Sequence, residues 1–374
     1  MSKPSFKVNL KPAATLRQPA ELVAHGLAAV ADLPDLEKVA ARYAVAVTPD
    51  IAALIDPHDP GDPIARQFIP SAEELLAQPG ESADPIGDHS HSPVAGIVHR
   101  YPDRVLFKLV HVCAVYCRFC FRREMVGPGK ATALSDAAYH GALDYIRAHP
   151  EIWEVILTGG DPLMLSPRRL AEIMADIAAI DHVRIIRIHT RVPVADPARI
   201  SAEMIAALRV EGATTWVALH ANHVRELTEK ARAACAGIID AGIPMVSQTV
   251  LLRGVNDNAP ALEALMRAFV ECRIKPYYLH HGDLAPGTAH LRTTLAQGQE
   301  LMRALRGRVS GLCQPEYVLD IPGGHGKAPV GPSYLSQANS PPGEGELDPE
   351  TRYRIVDYCG DVHLYPPEPS LSDD

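Results

Sequence analysis

The stretch Cys113-Ala-Val-Tyr-Cys117-Arg-Phe-Cys120 places three cysteines four and then three residues apart, directly after an apolar run typical of a β-strand. Offsets of this size bring three thiols onto one tight loop or helical turn. Thiolates so close together can share a metal centre, and cysteine is the usual protein ligand of iron–sulfur clusters and of structural zinc. Either centre needs a fourth ligand, and the remaining cysteines stand singly at Cys235, Cys272, Cys313 and Cys359. A zinc site would normally draw on a second Cys or His pair, so the triplet is left with an open position.

Six short apolar segments follow one another from residue 105 onward, and helical segments separate them. The strand candidates are residues 105–112, 155–158, 184–189, 215–219, 245–252 and 276–279. Strands this apolar are buried on both faces, which favours a parallel sheet covered by helices. Six such units predict an α/β fold in the form of an open, partial (β/α)6 barrel, whose site lies at the carboxyl ends of the strands. The cysteine triplet follows the first strand, where such a site should be.

The chain divides into three predicted regions. Residues 1–95 form a helical N-terminal domain and linker, residues 96–305 the barrel, and residues 306–374 a C-terminal segment. Helical spacing interrupted by prolines indicates short helices in the first region. We interpret it as a scaffold, with a docking or oligomer surface as the alternative. Residues 80–93 are a turn-rich connection, in which His89 and His91 fit a solvated loop about as well as a metal site.

Composition and charge exclude several classes of protein. Of 374 residues 47% are hydrophobic, which is ample for a large core. The net charge of -9, without a basic cluster, argues against a nucleic acid partner. The segment from Met1 to Lys11 lacks the apolar core of a signal peptide, and no apolar run reaches the length of a membrane span. We therefore expect a soluble cytoplasmic protein with no membrane partner. Seven cysteines, three of them clustered, fit a metal site better than a disulfide framework.

The cysteine spacing resembles that of the radical SAM superfamily, in which three cysteines hold a 4Fe-4S cluster and S-adenosylmethionine chelates its fourth iron. The flanking segments His99-Arg-Tyr-Pro-Asp-Arg104 and Arg122-Arg123 resemble, more narrowly, the lysine 2,3-aminomutase family. The likeness extends from about Asp84 to the C-terminal tail. It implies a radical SAM barrel and a C-terminal segment that binds pyridoxal 5'-phosphate.

The resemblance implies contacts to S-adenosylmethionine at the ends of the strands. Thr158-Gly159-Gly160-Asp161 follows the second strand, and its glycines allow a ligand to approach the backbone closely. In the superfamily this segment binds the amino group of the methionine part. His220 and Gln248 are the further contacts that the resemblance implies. Without the family, the glycine segment would be a turn and these two side chains ordinary polar filling.

A second glycine-rich stretch, Asp320-Ile-Pro-Gly323-Gly324-His-Gly326-Lys327, lies near the C-terminus. A nucleotide-binding loop would need Ser or Thr after the lysine and a strand–loop–helix unit around it, and the sequence offers neither. The stretch resembles instead the pyridoxal phosphate loop of the aminomutase family, which implies that Lys327 carries the cofactor as a Schiff base. The family match also implies Arg100 and Arg104 as cations for the cofactor phosphate, with Tyr101 nearby.

The family match further implies the substrate contacts Arg122, Asp283 and Asp320. Arg122 would bind the α-carboxylate, and the two aspartates would hold the distal ammonium of lysine. Taken without the family, both aspartates would pass as turn residues. In a closed site they would select a basic side chain, because a neutral substrate leaves a buried carboxylate unpaired.

The function implied is that of an isomerase, a radical SAM and pyridoxal phosphate-dependent 2,3-aminomutase that interconverts L-lysine and β-lysine. Its electron would come from a donor such as flavodoxin or ferredoxin. The alternatives within the enzyme class are an arginine or glutamate 2,3-aminomutase and the β-lysine-forming enzyme that serves elongation factor P. A glutamate enzyme should not keep both aspartates. A non-catalytic iron–sulfur or zinc protein is disfavoured because Lys327, Arg122 and both aspartates occur together.

Some positions depart from the family pattern. Clostridial-type members bind a structural zinc between subunits with a cysteine after Gly-Val-Asn-Asp and a cysteine-rich tail. Here Asn258 occupies that position and the tail has only Cys359, so we predict no structural zinc. We expect a homo-oligomer, but not necessarily the assembly of those enzymes. Phe119 stands where many members have His, and His280 where they have Tyr.

Overall fold

The computed structural model of the chain describes residues 14–126, 132–337 and 352–367. The segment from Met1 to Lys11, on which the expectation of no signal peptide rests, lies outside these ranges. Within them, no helix combines the length and the apolar character needed to cross a bilayer.

A nine-stranded sheet, whose strands lie side by side in the order of the sequence, forms the centre of the fold. The strands are β1 Ile97–Tyr101, β2 Arg104–Val110, β3 Glu154–Gly159, β4 Ile185–Thr190, β5 Thr214–His220, β6 Met245–Val250, β7 Ile274–His280, β8 Glu316–Asp320 and β9 Lys327–Pro329. Strands β2 to β8 are parallel, and β1 and β9 add antiparallel edges. The predicted open α/β barrel is confirmed, and its six predicted strands correspond to β2 to β7.

The sheet continues past residue 305, where the sequence predicts the C-terminal segment to begin. Strand β8 pairs with β7, and β9 turns back on β8 so that Lys327 lies opposite Asp320. Only residues 317–319 of β8 are apolar, and so short a run carries a weak strand signal. The predicted cofactor lysine is therefore part of the same sheet as the cysteine loop.

Helices connect the parallel strands and cover the outer face of the sheet. The α-helices are α1 Pro19–Ala24, α2 Leu33–Arg42, α3 Pro49–Ala52, α4 Ala65–Phe68, α5 Asp136–Arg147, α6 Pro167–Ala178, α7 Val192–Ala195, α8 Ala202–Ala207, α9 Glu229–Asp240, α10 Ala259–Glu271 and α11 Leu295–Leu305. A Ser, Thr or Asn side chain caps the N-terminus of each longer crossover helix, as Ser166 does for α6. Helix α6 buries Leu170, Ile173 and Ile177 on one face, as an amphipathic helix against a sheet should.

The two faces of the sheet differ in character. On β2 the side chains of Val105, Phe107 and Leu109 are buried in the core, and Phe107 stacks on Tyr139 of α5 with ring centroids 5.8 Å apart. The opposite face carries many polar side chains, such as Arg187 and Gln248. Because successive residues of a strand point to opposite sides, each strand adds both to the core and to this polar inner face.

The N-terminal region packs against both the sheet and the cysteine loop, and its residues Val39, Tyr43 and Ala46 form a small cluster with Tyr116 of that loop. Leu22, Val47, Ile51 and Phe68 belong to the same hydrophobic cluster as the strands of the sheet. Its backbone also reaches the cysteine loop, because the Tyr116 amide donates to the Ala46 carbonyl at 2.9 Å. A small antiparallel sheet of β10 Leu335–Gln337, β11 Tyr353–Val356 and β12 Val362–Tyr365 follows the main sheet.

Candidate active site

A cavity of about 280 Å³ lies against the inner face of the sheet. It is lined by every residue for which the sequence predicts a site role. These are Arg100, Tyr101, Arg104, Cys113, Cys117, Cys120, Arg122, Gly159, Gly160, Asp161, His220, Gln248, Asp283, Asp320 and Lys327. Residues far apart in sequence are thus brought to one site.

The three cysteines lie on the loop that follows β2, and all three are free thiols. Burial raises the pKa of the Cys117 thiol to about 11, and it also raises the pKa values of Cys113 and Cys120. Such thiols ionise only when a metal cation replaces the proton. In the described part of the chain, no three His, Cys, Asp or Glu side chains are close enough to hold a single ion. A four-iron cluster takes one cysteine per iron, so its three ligands need not converge on a single ion.

Glu74 of the N-terminal region holds the cysteine loop in place through two arginines of that loop. Arg118 Nε donates to Glu74 Oε1 at 2.8 Å, and the Nη2 atoms of Arg118 and Arg123 donate to Oε2. All three side chains are fully buried. Burial alone would raise the pKa of Glu74, but the charges and hydrogen bonds of both guanidinium groups lower it. The sequence did not reveal this role, because Ser71 and Glu74 form an ordinary capping box.

Arg191 joins Cys117 to a second buried network. Its Nη1 donates to Cys117 Sγ at 3.7 Å, and its Nη2 donates to Gln67 Oε1 at 2.8 Å and to Glu226 Oε2. Asn222 Nδ2 donates to the same Gln67 oxygen at 3.1 Å. A cation therefore lies beside one of the predicted cluster ligands, with its charge balanced by Glu226. Hydrogen bonds to ligand sulfurs are among the factors that set the potential of an iron–sulfur cluster.

The glycine segment after β3 packs directly against the cysteine loop. A Cβ built on Gly160 would overlap the backbone of Val112, so only glycine permits this approach. Asp161 accepts hydrogen bonds from Thr190 Oγ1 at 2.8 Å and from the Arg191 amide at 2.7 Å. Its carboxylate thereby joins the loops that follow β3 and β4, a structural task besides the predicted contact to S-adenosylmethionine.

Two histidines at the strand ends are held neutral and oriented. His220 Nε2 donates to Asn222 Oδ1 at 3.2 Å, and Gln248 Nε2 donates to His189 Nε2 at 3.0 Å. Burial lowers the pKa of both His189 and His220 well below the usual value. His189 thus joins the predicted residue Gln248 as a member of the cavity wall.

The predicted cofactor lysine lies opposite its carboxylate partner across two strands. Lys327 Nζ donates to Asp320 Oδ1 at 2.8 Å, and the Lys327 amide donates to the Tyr101 hydroxyl at 2.7 Å. Arg104 lies over the Tyr101 ring at 3.9 Å from its centroid. Burial alone would raise the pKa of Asp320, but the hydrogen bond from His280 and the charge of Lys327 lower it well below the usual range.

Arg100 and Arg122 meet at a carboxylate that the sequence did not single out. Asp88 Oδ2 accepts from Arg122 Nε at 3.0 Å and from Nη2 at 2.9 Å, and Asp88 Oδ1 accepts from Arg100 Nη2 at 3.0 Å. The turn-rich connection that contains Asp88 therefore contributes to the site. His91 in the same connection donates to the Gly324 carbonyl at 2.9 Å, whereas His89 is exposed.

Asp283 differs from the other carboxylates of the cavity, because its side chain has no hydrogen bond or ion pair within the described residues. It lies on the loop after β7. Burial and the charge of Asp320 raise the pKa of Asp283 to about 7. An unpaired acid in this position is prepared to bind a cation.

A curled, mostly parallel sheet with a three-cysteine loop after its first parallel strand defines a radical SAM domain, and the radical SAM superfamily model matches residues 107–265. A second model, lysine-2,3-aminomutase, matches residues 302–341. The chain belongs to the lysine 2,3-aminomutase family of radical SAM enzymes, as the resemblance implied.

The relatives are similar over most of this chain. An L-lysine 2,3-aminomutase from Clostridium subterminale is 42% identical over 78% of this chain and 70% of its own length. One from Acetoanaerobium sticklandii is 40% identical over 79% of this chain and 71% of its own. A glutamate 2,3-aminomutase from Clostridioides difficile is 36% identical over 80% of this chain and 70% of its own. The family consists of isomerases that use a 4Fe-4S cluster, S-adenosylmethionine and pyridoxal phosphate.

The residues present fit these cofactors. Three free thiols face one cavity, which suits a cluster with one open iron. Arg100 Nε is buried without a hydrogen-bond partner in the described part of the chain, as expected of a cation whose anionic ligand is a cofactor phosphate. Gly159 and Gly160 line the cavity, and without side chains their backbone is open to a ligand there.

Proposed function

We propose that this chain catalyses the 2,3-aminomutation of L-lysine to β-lysine, 3,6-diaminohexanoate. The observation that carries the proposal is the unpaired carboxyl of Asp283, next to the carboxylate of Asp320 and to the amine of Lys327. Two acids at one end of a cavity favour a substrate with a second ammonium group. A neutral side chain would leave Asp283 without a partner, which disfavours such a substrate.

The residues divide the work between holding the cofactors and orienting the substrate. When bound, S-adenosylmethionine on the reduced cluster supplies the radical that removes a hydrogen atom from the substrate, and pyridoxal phosphate supplies the carbonyl that carries the migrating nitrogen. Cys113, Cys117 and Cys120 would hold the cluster. The conformational freedom of the glycines before Lys327 suits a lysine that must attach and release the cofactor.

At the substrate, charge complementarity fixes the direction in which the amino acid lies. Arg122 keeps donors available for the α-carboxylate, since only Nε and Nη2 are bonded to Asp88. Asp283 and Asp320 would receive the distal ammonium. A substrate bound at both ends would have the carbon between them held in one position. This favours a reactive geometry.

A glutamate 2,3-aminomutase is the second candidate, because such an enzyme is among the relatives. Against it stand the two acids, which would repel a side-chain carboxylate. An arginine enzyme would also suit the acids, and the assay below separates it from the proposal. The β-lysine-forming enzyme of elongation factor P would suit them as well and would give a product of the same mass. An electron donor such as flavodoxin or ferredoxin, a homo-oligomer and the absence of structural zinc belong to the same proposal, on family resemblance; sedimentation and metal analysis test the last two.

The test is a competition assay under anaerobic conditions. Reconstituted and reduced protein with both cofactors is given an equimolar pool of lysine, arginine, glutamate and alanine, and β-amino acid products are identified by mass. We expect β-lysine as the main product. Turnover of another member of the pool with lysine untouched would refute the substrate, and no turnover of any member would refute the free amino acid class.

A variant of Lys327 separates chemistry from cluster assembly. Lys327→Ala should abolish turnover and lose the yellow absorbance of bound pyridoxal phosphate, because no other lysine lines the cavity within the described residues. Its iron content and brown colour should equal those of the wild type. The exposed Lys230→Ala variant is the matched control and should keep both colours and turnover. Residual yellow colour at wild-type strength in Lys327→Ala would contradict the assignment.

A further inference from the structure

We propose that Asp88 is a positioning residue that holds Arg122 and Arg100 at a fixed separation, so that the substrate carboxylate and the cofactor phosphate bind side by side. The inference rests on the proposed function, and it assigns a task to a residue that sequence motifs did not mark.

The contacts of Asp88 account for both of its oxygens. Oδ2 takes two hydrogen bonds from Arg122, at 3.0 Å and 2.9 Å, while Oδ1 takes one from Arg100 at 3.0 Å. Asp88 is 4% exposed, so water does not compete for these bonds. Charge-assisted bonds of this length are the strong ones in proteins. Two arginines that would otherwise repel each other are thereby held together.

The bonds leave the ligand-binding edges of both guanidinium groups free. Arg122 presents Nη1 and one N–H of Nη2, the pair that binds a carboxylate end-on. Arg100 presents Nη1, 3.8 Å from Asp320 Oδ1, and its unpartnered Nε. Arg122 has no ion pair other than that with Asp88 within the described residues, so its second edge remains open to an anionic ligand. Burial alone would raise the pKa of Asp88, but Arg122, with Lys108 and Arg100, lowers it, so the carboxylate stays ionised.

The backbone around Asp88 is fixed independently of the two arginines. Its amide donates to Asp84 Oδ1 at 2.8 Å, and the neighbouring His89 amide donates to Asp84 Oδ2 at 2.8 Å. Gly87 packs so closely on the backbone of Gly324 that a Cβ there would overlap it. Through Gly87, the segment that carries the Asp88 carboxylate is packed against the loop that precedes Lys327. Asp88 therefore sets the arginines relative to the cofactor lysine and not only relative to each other.

The experiment compares Asp88→Asn, Asp88→Glu and Asp62→Asn. In Asp88→Asn the new amide would keep the size of the side chain but point a donor at a guanidinium, so both arginines should lose their orientation. For this variant we expect the KM for lysine and the dissociation constant of pyridoxal phosphate, titrated by absorbance, to rise about tenfold or more, with a smaller change in kcat. Asp88→Glu should recover part of both losses, since it restores the charge.

Asp62→Asn serves as the matched structural control, because Asp62 is a buried aspartate that also accepts bonds from an arginine, Arg225, and from backbone amides, but it does not line the cavity. It should lower the melting temperature while its KM and cofactor affinity stay within about threefold of wild type. If Asp88→Asn binds substrate and cofactor like the wild type, the inference is overturned. It is equally overturned if both variants lose affinity in proportion to stability. A wild-type enzyme that turns over no amino acid would instead refute the proposed function, while the cofactor titration would still test the link between Asp88 and Arg100.

Discussion

The two sides of the cavity satisfy their polar groups very differently. On the cluster side, defined by the cysteine loop with Glu74, Arg118, Arg123 and Arg191, charged groups are buried and paired through several hydrogen bonds. On the ligand side, defined by Arg100, Arg122, Asp283, Asp320 and Lys327, the other four side chains are paired too, but the side chain of Asp283 has no hydrogen bond or ion pair within the described residues. Paired ions fix a loop in one place. An unpaired ionisable group in a cavity can pair with a ligand that carries the opposite charge.

The cluster side should be the more sensitive to loss of one charge. Glu74→Gln leaves Arg118 and Arg123 buried without a counter-ion, which should cost about 3–5 kcal/mol. We expect a lower midpoint in urea unfolding of the metal-free protein and weak iron uptake during reconstitution. The adjacent exposed Glu73→Gln is the control and should unfold like the wild type. Equal midpoints for the two variants would show that the cluster side does not depend on this pairing.

The ligand side should respond to pH through Asp283. Its pKa of about 7 lies above the usual 3.8 of the carboxyl, so the folded protein binds a proton that must leave before an ammonium can pair with it. Lysine keeps its side-chain charge up to about pH 10. We therefore expect affinity for lysine to rise about tenfold from pH 6 to pH 8 and then level off.

Asp283→Asn should remove this pH dependence and leave affinity low throughout, because an amide cannot carry the charge. Isothermal titration of lysine into the cofactor-loaded protein across this range measures both curves. The same ionisation has a cost for stability: since the pKa of Asp283 is raised on folding, wild-type stability should fall as pH rises from about 4 to about 7 relative to Asp283→Asn. Identical pH profiles for wild type and variant would contradict the role of Asp283 as the open acid.

The smallest effect concerns the contact at Gly87, where the turn-rich connection meets the loop before Lys327. Gly87 has φ of 69° and Gly242 has φ of 84°, so alanine is strained at both positions. Only at Gly87 would the added Cβ meet backbone, that of Gly324, since nothing lies within 4 Å at Gly242. Gly87→Ala should lose about 1–2 kcal/mol more than Gly242→Ala and bind pyridoxal phosphate less tightly. Equal melting temperatures and equal cofactor affinity for the two variants would mean that the backbone at Gly324 accommodates a methyl group on residue 87 at little cost.

Local patterns allowed much of the fold and the motif residues to be predicted. The strands β2 to β7 are apolar runs bounded by turns, and the cysteine triplet and glycine stretches are contiguous in sequence. Strand β8 is too short to give such a signal. Residues whose role depends on distant partners were missed: Glu74 pairs with Arg118 44 positions away, and Gln67 with Arg191 124 positions away.

Single residues also carried a misleading local signal. Glu74 completes a capping box with Ser71, so its sequence pattern is explained before any distant partner is considered. Asp88 lies in a turn-rich connection, where aspartate is common because its side chain can bond the backbone of the turn. The N-terminal region was interpreted as a scaffold, and the structure adds that it reaches the cysteine loop through Gln67 and Glu74. Only folding brings these charges together, and their burial then makes pairing necessary.

The order of the strands bears on how the chain can assemble during synthesis. Each strand of the main sheet pairs with its neighbours in sequence, so the sheet can grow by one strand at a time as the chain leaves the ribosome. Glu74 precedes the cysteine loop and is already available when Arg118 and Arg123 emerge. Lys327, on the last strand of that sheet, comes some two hundred residues after Cys120. The pairing of Glu74 with these two arginines can therefore form before the lysine for the second cofactor is synthesised.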